Sequence, residues 1–194
     1  MRARLSSKER IVRAARKAFA DRGRDGVSMS EIAGIAGVKK ALIYYYFPSK
    51  EDLFYEVWRY SIDELEDHIF SEADGENVYL SKIKKILRSY IDFITSKNEV
   101  KKIMDQERAN LTREDIESWK RVRDRYLSLK NRLSTVINDA KTAREISKDV
   151  DPDSTADLIL NGFSITEDPE GLESIREIIW RGLISNSGES TTPG

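Results

Sequence analysis

The sequence predicts an all-α protein in which an N-terminal helix-turn-helix domain of three helices is joined to a C-terminal helical bundle, about nine helices in total. Apolar residues recur with the period of an α-helix along nearly the whole chain. The alternation typical of half-buried strands extends over only a few residues. Capping residues, glycines and prolines divide this pattern into segments of helical length, which indicates a head of short helices followed by longer ones.

The composition argues against several classes of protein. There is no cysteine and only one histidine, His68, so disulfides, metal clusters and a Ser-His-Asp triad are not expected. Neither a membrane span nor a signal peptide is recognisable, and we expect a cytoplasmic protein. Paired acid and base residues, nucleophile motifs and phosphate-binding glycine loops are also missing from the sequence. We therefore expect no enzymatic activity, no cofactor and no bound metal.

Charge is distributed unevenly along the chain. Residues 1–50 contain 12 Lys and Arg against 4 Asp and Glu, whereas residues 51–194 contain 21 against 30, although the formal net charge is only -1. Lys and Arg that neutralise DNA phosphates release condensed counterions, which favours binding. The basic N-terminal region is therefore a candidate surface for double-stranded DNA, and the alternative is a solvated basic terminus.

Three helices are predicted in the N-terminal region. The first covers residues 7–22 and has one apolar stripe, formed by Ile11, Ala15, Ala18 and Phe19. Ser28 with Glu31 is typical of a capping box that opens a second helix, which ends at Gly37. A third helix over residues 39–47 follows at once, so the order is that of a helix-turn-helix.

The third helix has two different faces. At about 100° per residue, one arc carries Leu42, Ile43, Tyr46 and Phe47. We expect this arc to pack on the preceding helices, against Ile11, Phe19, Ile32 and Ile35. The opposite arc carries Lys40, Ala41, Tyr44 and Tyr45. Because three consecutive tyrosines cannot all face inward, we expect two of the three to project outward.

The remainder of the chain predicts longer helices. Pro48 ends the third helix, and Ser49 with Asp52 caps a fourth that starts at Lys50. The six later helices are predicted over residues 50–70, 79–97, 99–110, 113–141, 153–167 and 172–185. Residues 1–48 form the predicted DNA-binding domain, residues 49–185 the effector-binding and dimerisation domain, and residues 186–194 a disordered tail.

The first 56 residues resemble the DNA-binding domain of the TetR family of transcriptional regulators. The residues that carry the resemblance are Ile11, Ala14, Ala15, Phe19, Gly23, Ser28, Ile32, Ala33, Ala36–Val38 and Ile43–Leu53. The resemblance implies a recognition helix in the major groove, a C-terminal bundle that binds a small molecule, and a homodimer formed by the last two helices. Lys39 and Leu42 depart from the family pattern, which usually has a small hydroxyl residue and a small or polar residue at these positions.

Site residues follow from the resemblance together with helix geometry. Base and groove contacts are expected from Lys40, Ala41, Tyr44 and Tyr45. Phosphate contacts are expected from Ser28, Lys39, Tyr46 and Lys50, the serine because it lies at a helix N-terminus. An apolar, acyl-type effector is expected to contact Trp58, Ile62, Tyr90, Phe93, Met104, Arg108, Trp119 and Tyr126, although most such residues could equally form core.

The last two helices are the expected dimer interface. The predicted residues are Ile159, Gly162, Phe163, Ile175, Ile179 and Leu183. The alternative is that this apolar face packs on the chain's own bundle. The sequence thus predicts a ligand-responsive repressor that binds a palindromic operator as a homodimer and is released by its effector. An activator, or a DNA-binding protein without an effector, remains open.

Overall fold

The computed structural model describes residues 5–106, 119–163, 166 and 168–184, which form nine helices and no strand. The helices are α1 (Ser7–Arg22), α2 (Met29–Ala36), α3 (Lys40–Tyr46), α4 (Lys50–Ser71), α5 (Tyr79–Ser96), α6 (Asn98–Gln106), α7 (Lys120–Thr142), α8 (Pro152–Gly162) and α9 (Pro169–Ile184). This confirms the predicted all-α class. None of the described helices is both long and apolar enough to cross a lipid bilayer.

The chain divides into two compact units. The first unit comprises Met1–Asp63 with Lys97–Tyr126, and the second comprises Glu64–Ser96 with Leu127–Gly194. Two of the three divisions fall within α4 and within α7, so each of these helices contributes to both units, and the third falls between α5 and α6. The boundary predicted after residue 48, between a DNA-binding and an effector-binding domain, does not coincide with these compact units. As a division between functions it stays a prediction.

The helix-turn-helix is built on a small core in the first unit. Ile11 and Phe19 of α1, Ile32 of α2 and Ile43 of α3 are completely buried. Burial of such side chains stabilises each by about 1.5–3 kcal/mol relative to exposure. Ile35 was expected in this core but is exposed. The buried residues of α2 follow a helical stripe that omits position 35, namely Met29, Ile32, Ala33 and Ala36.

Arg10 fixes the turn between α2 and α3. Its guanidinium donates to the carbonyl oxygen of Ala36 at 3.0 and 3.3 Å and to that of Gly37 at 2.8 Å. Gly37 itself has a left-handed conformation with φ of 64°, which favours glycine. The cation therefore satisfies carbonyl groups that the end of a helix leaves without partners. Sequence periodicity gave no sign of this contact, because the two ends of the bond lie on different helices.

The second unit has its own core. The Tyr90 hydroxyl of α5 donates to the carbonyl oxygen of Leu160 at 2.9 Å, and the Tyr90 ring lies 5.1 Å from that of Phe163. The Ser147 N–H donates to the Leu183 carbonyl oxygen at 2.8 Å, which joins the loop before α8 to the end of α9. Because α5 also packs on α9, part of the apolar surface of the last two helices is core.

Two predicted helix boundaries were wrong. The helix expected over residues 153–167 ends at Gly162, and the helix expected from residue 172 begins at Pro169. Asp168 accounts for the earlier start, because its carboxylate accepts from the Gly171 N–H at 2.8 Å and its carbonyl oxygen accepts from the Leu172 N–H. Pro169 thus occupies the first turn, where a missing N–H costs nothing. The end of the helix predicted over residues 99–110, the start of the helix predicted over residues 113–141 and the predicted tail lie outside the described residues.

We predict that Arg10→Ala lowers the free energy of unfolding by about 1–3 kcal/mol, since it removes charge-assisted hydrogen bonds to carbonyl groups at the end of α2. Arg13→Ala is the matched control because Arg13 is an exposed cation one turn further along the same helix. Chemical denaturation followed by circular dichroism measures both. Equal stabilities of the two variants would contradict the capping role of Arg10.

Candidate functional site

The exposed face of α3 is the candidate DNA-reading surface. Ile43 and Phe47 are buried and anchor the helix, whereas Tyr44, Tyr45 and Tyr46 are 43%, 78% and 37% exposed. All three tyrosines therefore project outward, one more than expected, and the placement of Tyr46 on the packed arc was wrong. The rings of Tyr45 and Tyr46 are in contact, and a contiguous exposed apolar patch is typical of an interaction site.

The cations around α3 are accessible as well. Lys39 and Lys40 are exposed, and the Lys40 ammonium lies 5.9 Å from the centroid of the Tyr44 ring. Lys39 occupies the N-cap position but makes no side-chain capping bond, in keeping with its departure from the family pattern. Ala41, between these side chains, is exposed and small. A short helix with this surface can approach a groove closely.

Ser28 begins α2 in a closed capping box. Its hydroxyl accepts from the Glu31 N–H at 3.2 Å, and the Glu31 carboxylate accepts from the Ser28 N–H at 2.8 Å. The hydrogen bonds with Ser28, aided by a further one from Arg22 at 2.9 Å, lower the pKa of Glu31 to about 2. Ser28 is exposed at this helix N-terminus, where backbone N–H groups favour an anion such as a phosphate.

Lys50 lies at the start of α4 but reaches back toward α2. Its ammonium donates to the Val27 carbonyl oxygen at 3.4 Å and lies 3.8 Å from the Asp25 carboxylate. Both contacts are long, so they restrain the ammonium only weakly. Lys50 is thereby placed next to the N-terminus that Ser28 caps. Two of the predicted phosphate-contacting residues are thus brought close together.

An aromatic cluster surrounds Trp119 in the first unit. The Trp119 ring lies 5.6 Å from Trp58, 5.3 Å from Tyr55 and 6.1 Å from Phe54, in each case edge to face. Trp58 and Trp119 were predicted effector contacts, and the structure brings them together. Both are buried. We refer to Phe54, Tyr55, Trp58 and Trp119 as the aromatic cluster.

The predicted effector residues divide between the two units. Ile62, Met104 and Tyr126 belong to the first unit with the aromatic cluster, and all three are buried. Tyr90 and Phe93 belong to the second unit, where Tyr90 contacts Phe163 and Phe93 lies 5.4 Å from the ring of His68. Arg108 lies outside the described residues. The structure therefore gathers part of the predicted set, and the role of every member stays a prediction.

The predicted dimerisation residues needed correction. Ile159, Phe163, Ile179 and Leu183 are buried within the chain, so their side chains are core and cannot meet a partner. Gly162 is buried too, and a methyl group there would lie 3.7 Å from the Ile175 side chain. The exposed apolar side chains of the same helices are Leu158 and Ile178, at 50% and 69%. Adjacent positions on α8 and α9 were thus assigned to the wrong faces.

A chain of ion pairs on α4 was not predicted from the sequence. Glu56 accepts from Lys8 of α1 at 2.7 Å and from Arg59 at 3.0 Å, and Arg59 also contacts Asp63 at 2.7 Å. Arg125 of α7 donates to the same Asp63 carboxylate at 2.6 Å. Burial opposes ionisation of Glu56, but the bonds from Arg59 and Lys8 outweigh it and hold the pKa below its ordinary value. Only the Glu56, Arg59 and Asp63 spacing could have been noticed in the sequence.

Comparison with known proteins supports the assignment of the N-terminal region. Residues 11–57, which cover most of α1 and all of α2 and α3, match the family described as bacterial regulatory proteins, tetR family. The N-terminal domain belongs to the TetR family. This TetR-family domain accounts for the helix-turn-helix and for the turn into α4. The chain spans just under half the length of the curated relatives it matches.

One relative and two solved structures illustrate the likeness. The negative transcriptional regulator IcaR of Staphylococcus aureus is 27% identical over 84 residues, which are 43% of this chain and 45% of IcaR. AibR, in a complex with isovaleryl coenzyme A and operator DNA, has a TM-score of 0.74 and 23% identity over 92% of this chain and 98% of its own. FadR of Bacillus subtilis, in a complex with stearoyl-CoA, has a TM-score of 0.68 and 18% identity over 90% and 98%. Both structures share the fold of this chain.

Proposed function

We propose that this protein is a ligand-responsive transcriptional repressor, which binds a palindromic operator as a homodimer and is released by a small apolar, acyl-type effector. The observation that carries the proposal is the exposed face of α3 in a TetR-family domain, where Lys40, Tyr44 and Tyr45 surround the small Ala41. IcaR, which is a negative regulator, supports the direction of the response.

The exposure and charge of the side chains suggest which residues would contact bases and which would contact phosphates. Tyr44, Tyr45 and Lys40 would contact base edges in the major groove, with Ala41 allowing the helix to come close. Ser28, Lys39, Tyr46 and Lys50 would contact phosphates and so set register without reading sequence. The placement of Lys50 beside the capped N-terminus of α2 supports this, because exposed helix N-termini favour anions.

The aromatic cluster supports an apolar effector. Large aromatic side chains are common in the lining of small-molecule sites, and here Trp58 of α4 and Trp119, directly before α7, lie outside the helix-turn-helix. Ile62 and Met104 would extend the apolar lining. AibR and FadR, which share the fold, are described with acyl-CoA ligands, and this supports an acyl thioester as the chemical class.

The fourth helix would couple the two sites. Its first turn approaches α2 through Lys50, and Phe54 one turn later lies 5.2 Å from Phe19 of α1. Glu56 adds the ion pair with Lys8. An effector that displaces the aromatic cluster would therefore move the TetR-family domain with α4. A dimer needs its two recognition helices about 34 Å apart, so such a movement would weaken operator binding.

Homodimerisation would use the exposed apolar stripe of α8 and α9. Ile175, Ile178 and Gly182 share one face of α9 at helical spacing, and Leu158 lies exposed on α8. A methyl group added at Gly182 would meet nothing within 4 Å, so this position leaves room for close approach by a partner helix. One half-site gives too few contacts for operator-level affinity, which is the functional reason for a dimer.

We predict that Lys50→Ala weakens binding to all DNA sequences alike and flattens the slope of log K against log salt by about 0.9, because one phosphate contact is lost. Tyr45→Ala should instead reduce discrimination between sequences. Lys148→Ala is the control, since Lys148 is an exposed cation of the second unit. Binding isotherms at several salt concentrations measure these effects. A change of preferred sequence in Lys50→Ala with an unaltered slope would contradict the phosphate assignment.

The dimer surface yields a second prediction. Ile178→Glu should give monomers in sedimentation and weaker DNA binding, because an unpaired charge is costly in a dry interface. Leu127→Glu, which places the same charge at an exposed apolar position of α7, should leave the dimer intact. A dimer that persists in Ile178→Glu with unchanged affinity would place the interface elsewhere.

A further inference from the structure

The indole N–H of Trp58 is a buried hydrogen-bond donor with no acceptor. The side chain is completely buried, and its Nε1 atom has no hydrogen-bond partner among the described residues. Folded proteins rarely leave such a group unsatisfied, because its desolvation is then uncompensated. The edge-to-face contact of Trp58 with the Trp119 ring does not supply an oxygen acceptor for this N–H. No residue in the described part of the chain supplies this acceptor, and a bound molecule can supply it.

The charges around the cluster restrict which acceptor fits. Arg59 is paired with Glu56 and Asp63, Lys101 with Asp105 at 2.9 Å, and Arg125 with Asp63. These three cations of α4, α6 and α7 thus already face a carboxylate, whereas Lys102 and Arg121 of the same helices are exposed. A free carboxylate brought next to Trp58 would be buried without a counter-ion, which is strongly unfavourable. A neutral carbonyl oxygen avoids this cost and still accepts the indole proton.

We propose that Trp58 is the residue that recognises the effector's carbonyl group: its Nε1–H donates to the neutral carbonyl oxygen of an acyl thioester whose hydrocarbon chain packs on the rings of the aromatic cluster. The inference rests on the proposed effector function and adds the polar determinant of its specificity. Trp58 distinguishes acyl compounds from hydrocarbons and thioethers of the same shape. It selects neutral acyl derivatives over free acids for the reason of charge given above.

The location of Trp58 connects this recognition with DNA binding. It lies eight residues after Lys50, which is about 12 Å along a helix, and one turn after Phe54. Phe54 contacts both Phe19 of α1 and Trp119. A carbonyl held by Trp58 is therefore one helical turn from the residue that packs α4 on the TetR-family domain.

The test compares two ligands and two variants. Isovaleryl-coenzyme A and its thioether analogue isopentyl-coenzyme A differ only in the carbonyl oxygen. Trp58→Phe keeps an aromatic ring and removes the N–H, so it should weaken thioester binding about tenfold and leave thioether binding unchanged. Trp180→Phe is the control, because Trp180 lies on α9 in the second unit, and it should change neither affinity. Titration calorimetry of both ligands with the wild-type protein and the two variants measures the six dissociation constants.

The outcomes separate the inference from the function on which it rests. If Trp58→Phe weakens the binding of both ligands equally, or of neither, the proposed carbonyl contact is wrong, while the proposed acyl class of effector is unaffected. If neither ligand binds the wild-type protein, the proposed effector class fails and the inference fails with it. Should Trp58→Phe not fold, NMR of the wild-type protein labelled at tryptophan nitrogen decides: the Trp58 indole proton must shift downfield with the thioester and not with the thioether. A resonance that responds alike to both ligands overturns the proposal.

Discussion

The edge-to-face contact between Phe19 and Phe54 is the interaction on which the first unit depends. Both rings are completely buried, with their centroids 5.2 Å apart. Phe54 also contacts Trp119, and Trp119 contacts Trp58, so the core of the helix-turn-helix and the aromatic cluster share one side chain. Because protein cores are densely packed, α4 cannot move against one of these neighbours without changing its packing on the other.

Ion pairs near these aromatic contacts also hold α4 to its neighbouring helices. Lys8 holds Glu56 from α1, and Arg125 holds Asp63 from α7, so α4 is fixed at two levels. The packing of α6 on α1 brings a further helix from the bundle region into the first unit. The candidate DNA-reading surface is therefore supported by α4, which follows α3 directly, and by α6 and α7, which lie far from it in sequence. Such an arrangement suits two discrete states better than a continuous deformation.

Local signals in the sequence predicted the helices of the helix-turn-helix domain well. Contacts between distant parts of the chain determine which residues of the later helices are buried, and these were predicted less well. The Ser28–Glu31 and Ser49–Asp52 caps and the left-handed Gly37 are local features that act within one helical turn. They therefore predicted the ends of α2, α3 and α4 to within one residue. On α8 and α9 the apolar residues stand side by side, as in Leu158 with Ile159 and Ile178 with Ile179. Periodicity cannot decide which neighbour faces inward, and the buried member of each pair was assigned to the dimer. Arg10 and the ion pairs of α4 join separate helices and leave no periodic signal.

The proposed mechanism requires that the operator and the effector favour different conformations of the protein, and reciprocal coupling between these two ligands tests this requirement. A DNA duplex is first selected by the protein from a random library, and isovaleryl-coenzyme A is then titrated calorimetrically into the free protein and into its complex with that duplex. Thermodynamic linkage requires that DNA weakens ligand binding by the same factor by which the ligand weakens DNA binding, typically about 5–150-fold. We expect such a matched loss in both directions. Equal affinity of the ligand for free and DNA-bound protein would contradict it.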